Sequence, residues 1–224
     1  MSTADDPPGG RPARLFPLVR HLSRRLTPWL LRTPLSPNQI TVSSVTVSLF
    51  GAWLFLDGGY RAGVGGALCL VAGYVLDNCD GEVARRRDLS TRFGALLDTA
   101  GDWLTHTAFF AALGIGVAQA SGQGYWAWLG WIAAAGTTVN SFFSLRREVA
   151  AGGEAETLER PPSGAGGWDW LLFALRELSR ADFCFIVLVL ALVGGTWLLL
   201  PAAAIGAHVY WMMQFREDAN RYHV

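Results

Sequence analysis

The chain has no lysine. All 18 of its basic residues are arginine. That excludes a Schiff-base lysine and the phosphate-cradling lysine of a P-loop. Charge of either sign is scarce: Asp, Glu, Lys and Arg make up 16% of the 224 residues, where about a quarter is usual for a soluble domain. The formal net charge is zero, so no global field favours nucleic acid. Cysteine is also sparse. Cys69, Cys79 and Cys184 form no C-x-x-C pair, which argues against a disulfide framework or a zinc site. A charged start followed by an apolar core, as in a secretory signal, is absent from the polar, Pro/Gly-rich opening M-S-T-A-D-D-P-P-G-G-R-P. Residues 1–13 are expected to form a disordered tail.

What remains is strongly apolar. Hydrophobic residues make up 51% of the chain and the mean hydropathy is +0.28. From residue 14 to 33 Leu15, Leu18, Leu22, Leu26 and Leu30 recur at helical spacing among Arg14, Arg20, Arg24 and Arg25. This is too charged to cross a bilayer and reads as an amphipathic interfacial helix, its arginines toward lipid phosphates. Pro34 and Pro37 then punctuate the chain. Four apolar runs follow: Ile40 to Leu56, Ala62 to Leu76, Phe93 to Ala120, and Tyr125 to Leu145. Arg146 to Gly167 is a long polar segment, and Trp168 to Leu178 is expected to be a second interfacial helix. Phe183 to Phe215 carries no formal charge and is too long for one crossing. It suits two helices turning near Gly194 and Gly195.

The predicted fold is therefore an all-α membrane protein: a domain over residues 34–224 with six transmembrane helices, preceded by the interfacial helix. Arginine placement supports the count. Six arginines precede the first run, while Arg85, Arg86, Arg87 and Arg92 lie between the second and third. Five more lie between the fourth and fifth, and two follow the last. The opposite loops hold only Arg61. By the positive-inside rule both termini are expected in the cytoplasm, in a multi-pass protein of the cell membrane.

The stretch Asp77 to Asp102 reads D-N-C-D-G-E-V-A-R-R-R-D-L-S-T-R-F-G-A-L-L-D-T-A-G-D. Asp77 and Asp80 share one helical face, as do Asp98 and Asp102. Gly73, Ala84 and Gly94 extend those stripes, and small residues let membrane helices approach closely. Carboxylates at the ends of apolar helices are costly and mark function. Four of them facing one another would repel unless neutral, paired with arginine, or gathered round a cation. An all-oxygen site suits Mg²⁺, Mn²⁺ or Ca²⁺, and four charges would balance two divalent ions, the arrangement that commonly clamps phosphoryl groups. The competing reading pairs these aspartates with Arg85, Arg86, Arg87 and Arg92 as surface ion pairs.

The pattern D-x-x-D-G-x-x-A-R-x8-G-x3-D-x3-D, filled here without departure by Asp77, Asp80, Gly81, Ala84, Arg85, Gly94, Asp98 and Asp102, resembles the signature of the CDP-alcohol phosphotransferases. Eight fixed residues coincide by chance on the order of 10⁻¹⁰ per start position at average composition. The resemblance implies attack of an acceptor hydroxyl on the β-phosphorus of a CDP-alcohol, with release of CMP. It implies two divalent cations, Mg²⁺ or Mn²⁺, held by Asp77, Asp80, Asp98 and Asp102. Asp102 would also be the general base, and Gly81, Ala84 and Arg85 would contact the CDP moiety. The implied donor is a lipid such as CDP-diacylglycerol. The acceptor is a small polar alcohol such as inositol phosphate or glycerol phosphate. A soluble CDP-alcohol donor or a diacylglycerol acceptor would use the same chemistry. Relatives of this kind are commonly homodimers.

Secondary candidates follow. Asn38 and Thr41, in P-N-Q-I-T, lie near the nucleotide in this family, although helix capping explains the same residues. Arg180 and Arg146 could hold an anionic acceptor or could be positive-inside arginines. His106, one turn beyond Asp102, is either a second-layer neighbour of the metals or a packed intramembrane histidine. Glu82 sits at a variable motif position, and His208 has no evident partner. Outside this chemistry, a cation or proton transporter would need acids near the bilayer midplane, and the aspartates cluster at one side.

Overall fold

The structure, a computed structural model, describes residues 18–151 and 182–221, and all regular elements among them are helical. The helices are α1 (Val19–Leu30), α2 (Pro37–Phe55), α3 (Tyr60–Arg86), α4 (Arg92–Ser121), α5 (Tyr125–Ala151), α6 (Phe183–Leu192) and α7 (Leu199–Arg221). The expected disordered tail, the second interfacial helix and Arg180 lie outside the described residues.

Each boundary has a local cause. α2 starts three residues before the apolar run because Ser36 and Gln39 form a reciprocal capping box behind Pro37. α3 does not stop at the aspartates but carries them through to Arg86. Asp88 in the left-handed region (φ 55°) then turns the chain, and Thr91 caps α4 by accepting from the Gly94 amide. The last apolar run breaks where expected: α6 ends at Leu192, Gly194 is left-handed (φ 71°), and the Gly195 amide donates back to the Leu190 carbonyl.

α2 is the central helix, packing on both α3 and α4; α4 packs on α5, and α5 on α7. One apolar core joins Ala52, Phe55, Leu70, Phe109, Leu113 and Leu200. Bare backbones cross at Gly114 and Gly130, where a Cβ on Gly130 would stand 2.6 Å from the Phe110 carbonyl oxygen. Gly73 has the same role between α3 and α2: a Cβ there would collide with the Ser48 hydroxyl. This corrects the expectation that the small-residue stripes bring α3 and α4 together. The backbones of these two helices stay apart and side chains bridge them; Gly73 lets α3 lean on α2.

α1 docks in an unexpected way. Its fully buried positions are Val19, Ser23 and Thr27, with Leu26 and Leu30 partly buried beside them, while Leu22 and Trp29 are exposed. Three ionisable groups from elsewhere hold it. Asp182, fully buried, accepts from the Leu18 and Val19 amides at 2.6 and 2.8 Å. Glu82 accepts from Ser23 and Thr27 at 2.8 and 2.7 Å. The Arg87 guanidinium donates to the carbonyls of Leu30, Leu31, Thr33 and Leu35. A helix leaves amides unpaired at its start and carbonyls at its end, and its dipole favours an anion at the former and a cation at the latter. Asp182 and Arg87 supply both.

The all-α expectation holds among the described residues, whereas the count of six spans does not follow from helix length and composition. Among the described residues, α3 is the helix long and apolar enough to cross a membrane by length and composition. The described part of α6 has only 10 residues, about half of a crossing.

Candidate functional site

The site is built where the cytoplasm-predicted ends of α3 and α4 stand apart in front of α2. Asp77 and Asp80, three residues apart, leave α3 on one face; Asp98 and Asp102 leave α4. One carboxylate oxygen from each of Asp77, Asp80 and Asp98 lies within 4.8 Å of the others. Asp80 is buried, and Asp77 and Asp98 are half-buried. On an octahedral Mg²⁺ ion neighbouring ligand oxygens are about 3 Å apart and opposite ones about 4.2 Å, so the three carboxylates would have to draw in further to share one ion. The donor set, hard carboxylate oxygens alone, fits Mg²⁺ or Mn²⁺.

Asp102 lies outside this triad. It is exposed, one turn further along α4. With Asp77, Ser44, Ser48 and Thr105 it lines a cavity of about 10 Å³, about the room one water needs. The structure thus gathers three of the four predicted ligands and leaves the fourth beside them, facing the open side.

Thr41 belongs to the same site through an unexpected contact. Its hydroxyl donates to Asp80 Oδ2 and is buried, which orients a metal-ligand candidate from behind. Asn38 is half-buried, its Oδ1 3.3 Å from where a Cβ on Gly94 would stand. Arg85 folds over Gly81, with Nη1 3.2 Å from a Cβ placed there. A side chain at 81 would displace that guanidinium, and Ala84 lies half-buried one turn further on. Arg146 is exposed near the end of α5.

Two features escaped the sequence reading. Thr41, Ser44 and Ser48 form a buried polar stripe on α2, the back wall of the site. Its signal was available: three hydroxyls at three- and four-residue spacing in an otherwise apolar helix. The second is a bridge from α3 to α4. Tyr74 Oη lies 2.7 Å from His106 Nε2, and His106 Nδ1 lies 2.8 Å from the Asp102 carbonyl. A carbonyl only accepts, so Nδ1 carries the proton and Nε2 accepts from the tyrosine. His106 also meets the Phe183 ring. It is packed, as the second of its two readings had it, and it ties the Asp102 backbone to the Asp77 helix. His208, without an evident partner in the sequence, meets the Ile132 carbonyl and Trp211.

Comparison with known proteins agrees with this geometry. A sequence profile of the CDP-alcohol phosphatidyltransferase family matches residues 34–213. A bifunctional IPC transferase and DIPP synthase of Rubrobacter xylanophilus is 38% identical over 125 residues, 55% of this chain but only 27% of that protein. The chain thus spans about a quarter of that relative's length. A phosphatidylinositol phosphate synthase of Mycobacterium bovis is 32% identical over 189 residues, covering 81% of this chain and 82% of its own. Among solved structures, the Mycobacterium tuberculosis phosphatidylinositol phosphate synthase with CDP-DAG bound superposes with a TM-score of 0.55 at 30% identity, covering 84% of this chain and 90% of that one. The same enzyme in complex with manganese and citrate gives 0.52 at 29% identity, over 83% and 85% of the two chains. With the complete aspartate motif, its three converging carboxylates and a profile match across most of its length, the chain belongs to the CDP-alcohol phosphatidyltransferase family.

Proposed function

We propose that the chain transfers the phosphatidyl group of CDP-diacylglycerol to a hydroxyl of inositol phosphate, or a closely similar phosphorylated polyol, and releases CMP. The observation that carries this reading is the convergence of Asp77, Asp80 and Asp98 within 4.8 Å, in front of the Thr41 hydroxyl. Similarity to synthases of phosphatidylinositol phosphate over four fifths of the chain supports the acceptor, and a relative solved with CDP-DAG supports the donor.

In this reading Asp77, Asp80 and Asp98 hold divalent metal, with Asp102 completing a site for two ions. Bound metal supplies charge neutralisation of the diphosphate. The chain's own groups do the rest. Arg85, Gly81 and Ala84 take the cytidine diphosphate, the small residues allowing its close approach and the guanidinium its charge. Asp102, on the open side, accepts the proton of the acceptor hydroxyl. The hydroxyl oxygen bonds to the β-phosphorus as the bond from that phosphorus to the CMP oxygen breaks, and CMP departs with the electron pair. Asn38 borders the nucleotide side. Arg146 and Arg180 are acceptor-phosphate candidates.

The same reading makes α2 to α7 six spans with the site facing the cytoplasm. Phe50, Trp53, Trp128, Trp131 and Ile205 point outward and are exposed. Outward aromatics and aliphatics on this scale suit contact with lipid.

The test is CMP release by purified protein from CDP-diacylglycerol, with inositol phosphate, glycerol phosphate and serine as acceptors. Inositol phosphate is expected to be preferred, and EDTA to abolish release until Mg²⁺ or Mn²⁺ is restored. Preference for glycerol phosphate would overturn the acceptor. Release only from a soluble CDP-alcohol would overturn the donor. No release with any pair would return the transporter reading.

A further inference from the structure

A second cavity, of about 440 Å³, opens between α1 and the end of α3. Its walls are Arg20, Arg24, Glu82, Arg85 and Arg86. Arg20 and Arg24 are one turn apart on α1, and Arg85 and Arg86 end α3, so the docking of α1 is what brings the four guanidiniums together. The single acid in the wall does not answer them. Both Glu82 oxygens accept from the buried hydroxyls of Ser23 and Thr27. The wall keeps a formal charge of +3 on a frame held rigid at three points by Asp182, Glu82 and Arg87.

Like charges held together are unfavourable unless something answers them. Guanidinium forks match phosphate oxygens in pairs. The volume lies in the range of small-ligand sites, larger than one phosphate and sufficient for a phosphate with its substituent. Leu22 and Trp29 are exposed on α1, as suits a helix lying at a headgroup layer.

We infer that the cavity between α1 and the end of α3 is a binding site for a phosphate-bearing anion, separate from the carboxylate centre and bordering it through Arg85. The phosphate comes either from an anionic lipid headgroup or from a soluble phosphate. Arg20, Arg24 and Arg86 have no part in the transfer reaction as read above, so the inference does not depend on the acceptor's identity.

The experiment measures saturable binding of inorganic phosphate, by ³¹P line broadening, to the full chain in uncharged detergent with EDTA. Without metal the carboxylate centre repels anions, so the signal reports the basic cavity. Arg20→Gln with Arg24→Gln is expected to weaken binding at least about tenfold, and Arg86→Gln several-fold, as charge-assisted contacts are lost. Arg86→Gln sits at a helix end and guards against a misfolded double variant. In nanodiscs of phosphatidylcholine the signal should persist. In nanodiscs containing phosphatidylglycerol it disappears if the lipid headgroup is the occupant and persists if the occupant is soluble; both outcomes support the site and identify its source. Equal binding by all variants or no saturable binding in detergent would overturn the inference.

Discussion

Asp182→Asn isolates the strongest single tie on α1. In the native chain each carboxylate oxygen accepts from one backbone amide, Leu18 at 2.6 Å and Val19 at 2.8 Å, in a site sealed from solvent. Asparagine keeps one acceptor and turns an NH₂ toward the other amide. One charge-assisted bond becomes neutral and one becomes a contact between two donors. Hydrogen bonds to charged groups contribute about 1.5–3 kcal/mol, and an orphaned buried donor costs about 1–3 kcal/mol. The docking of α1 should therefore weaken by about 2–4 kcal/mol. The effect belongs to local opening of α1, not to the helical core. Hydrogen exchange at the amides of the first turn of α1, measured in detergent, should accelerate roughly 30- to 1,000-fold, since 1.4 kcal/mol is tenfold. Exchange in α4 and α5 should hold. Asp57→Asn is the control, because Asp57 is exposed and, among the described residues, accepts from the Gly59 amide at 3.1 Å; it should change little. Native-like protection at the start of α1 in Asp182→Asn would refute the claim that this carboxylate pins the helix.

Other substitutions probe the site and the packing. Asp102→Asn should lower turnover by about 10²–10⁴-fold while stabilisation by CMP with Mn²⁺ persists; near-normal turnover would remove Asp102 as the base. Thr41→Val deletes the donor to Asp80 and should raise the Mg²⁺ needed for half-maximal activity by about 10–100-fold, so an unchanged metal titration would separate Thr41 from the centre. Gly116→Ala would drive a Cβ into the Phe55 carbonyl oxygen, a backbone atom that cannot rotate away, costing about 1–3 kcal/mol or more in thermal stability. Gly124→Ala, with nothing within 4 Å, should be neutral, and equal melting of the two variants would dismiss the packing argument.

Much of the site was readable from spacing alone. Residues three and four apart on a helix share a face whatever the rest of the protein does, so spacing pairs Asp77 with Asp80, and Asp98 with Asp102, without any tertiary information. The break at Gly194 was equally local, since a left-handed residue acts within one turn, whereas the Ser36 cap that starts α2 before Ile40 was missed. Length and composition went less far with the spans: among the described residues they single out α3 as a crossing helix and do not decide the rest.

Other features depended on which helices become neighbours. Sequence spacing could not say that α2, rather than α4, would fill the notch at Gly73, that Thr41 would reach Asp80, or that three carboxylates rather than four would converge. It could not pair Asp182 with amides more than 160 residues away, nor set the arginines of α1 opposite those of α3. The amino-acid sequence by itself determined the chemistry present, hard oxygen ligands and arginine forks without lysine, because residue type and helical period are local. The tertiary structure decided which of those groups meet, because contact between helices is settled by packing over the whole chain.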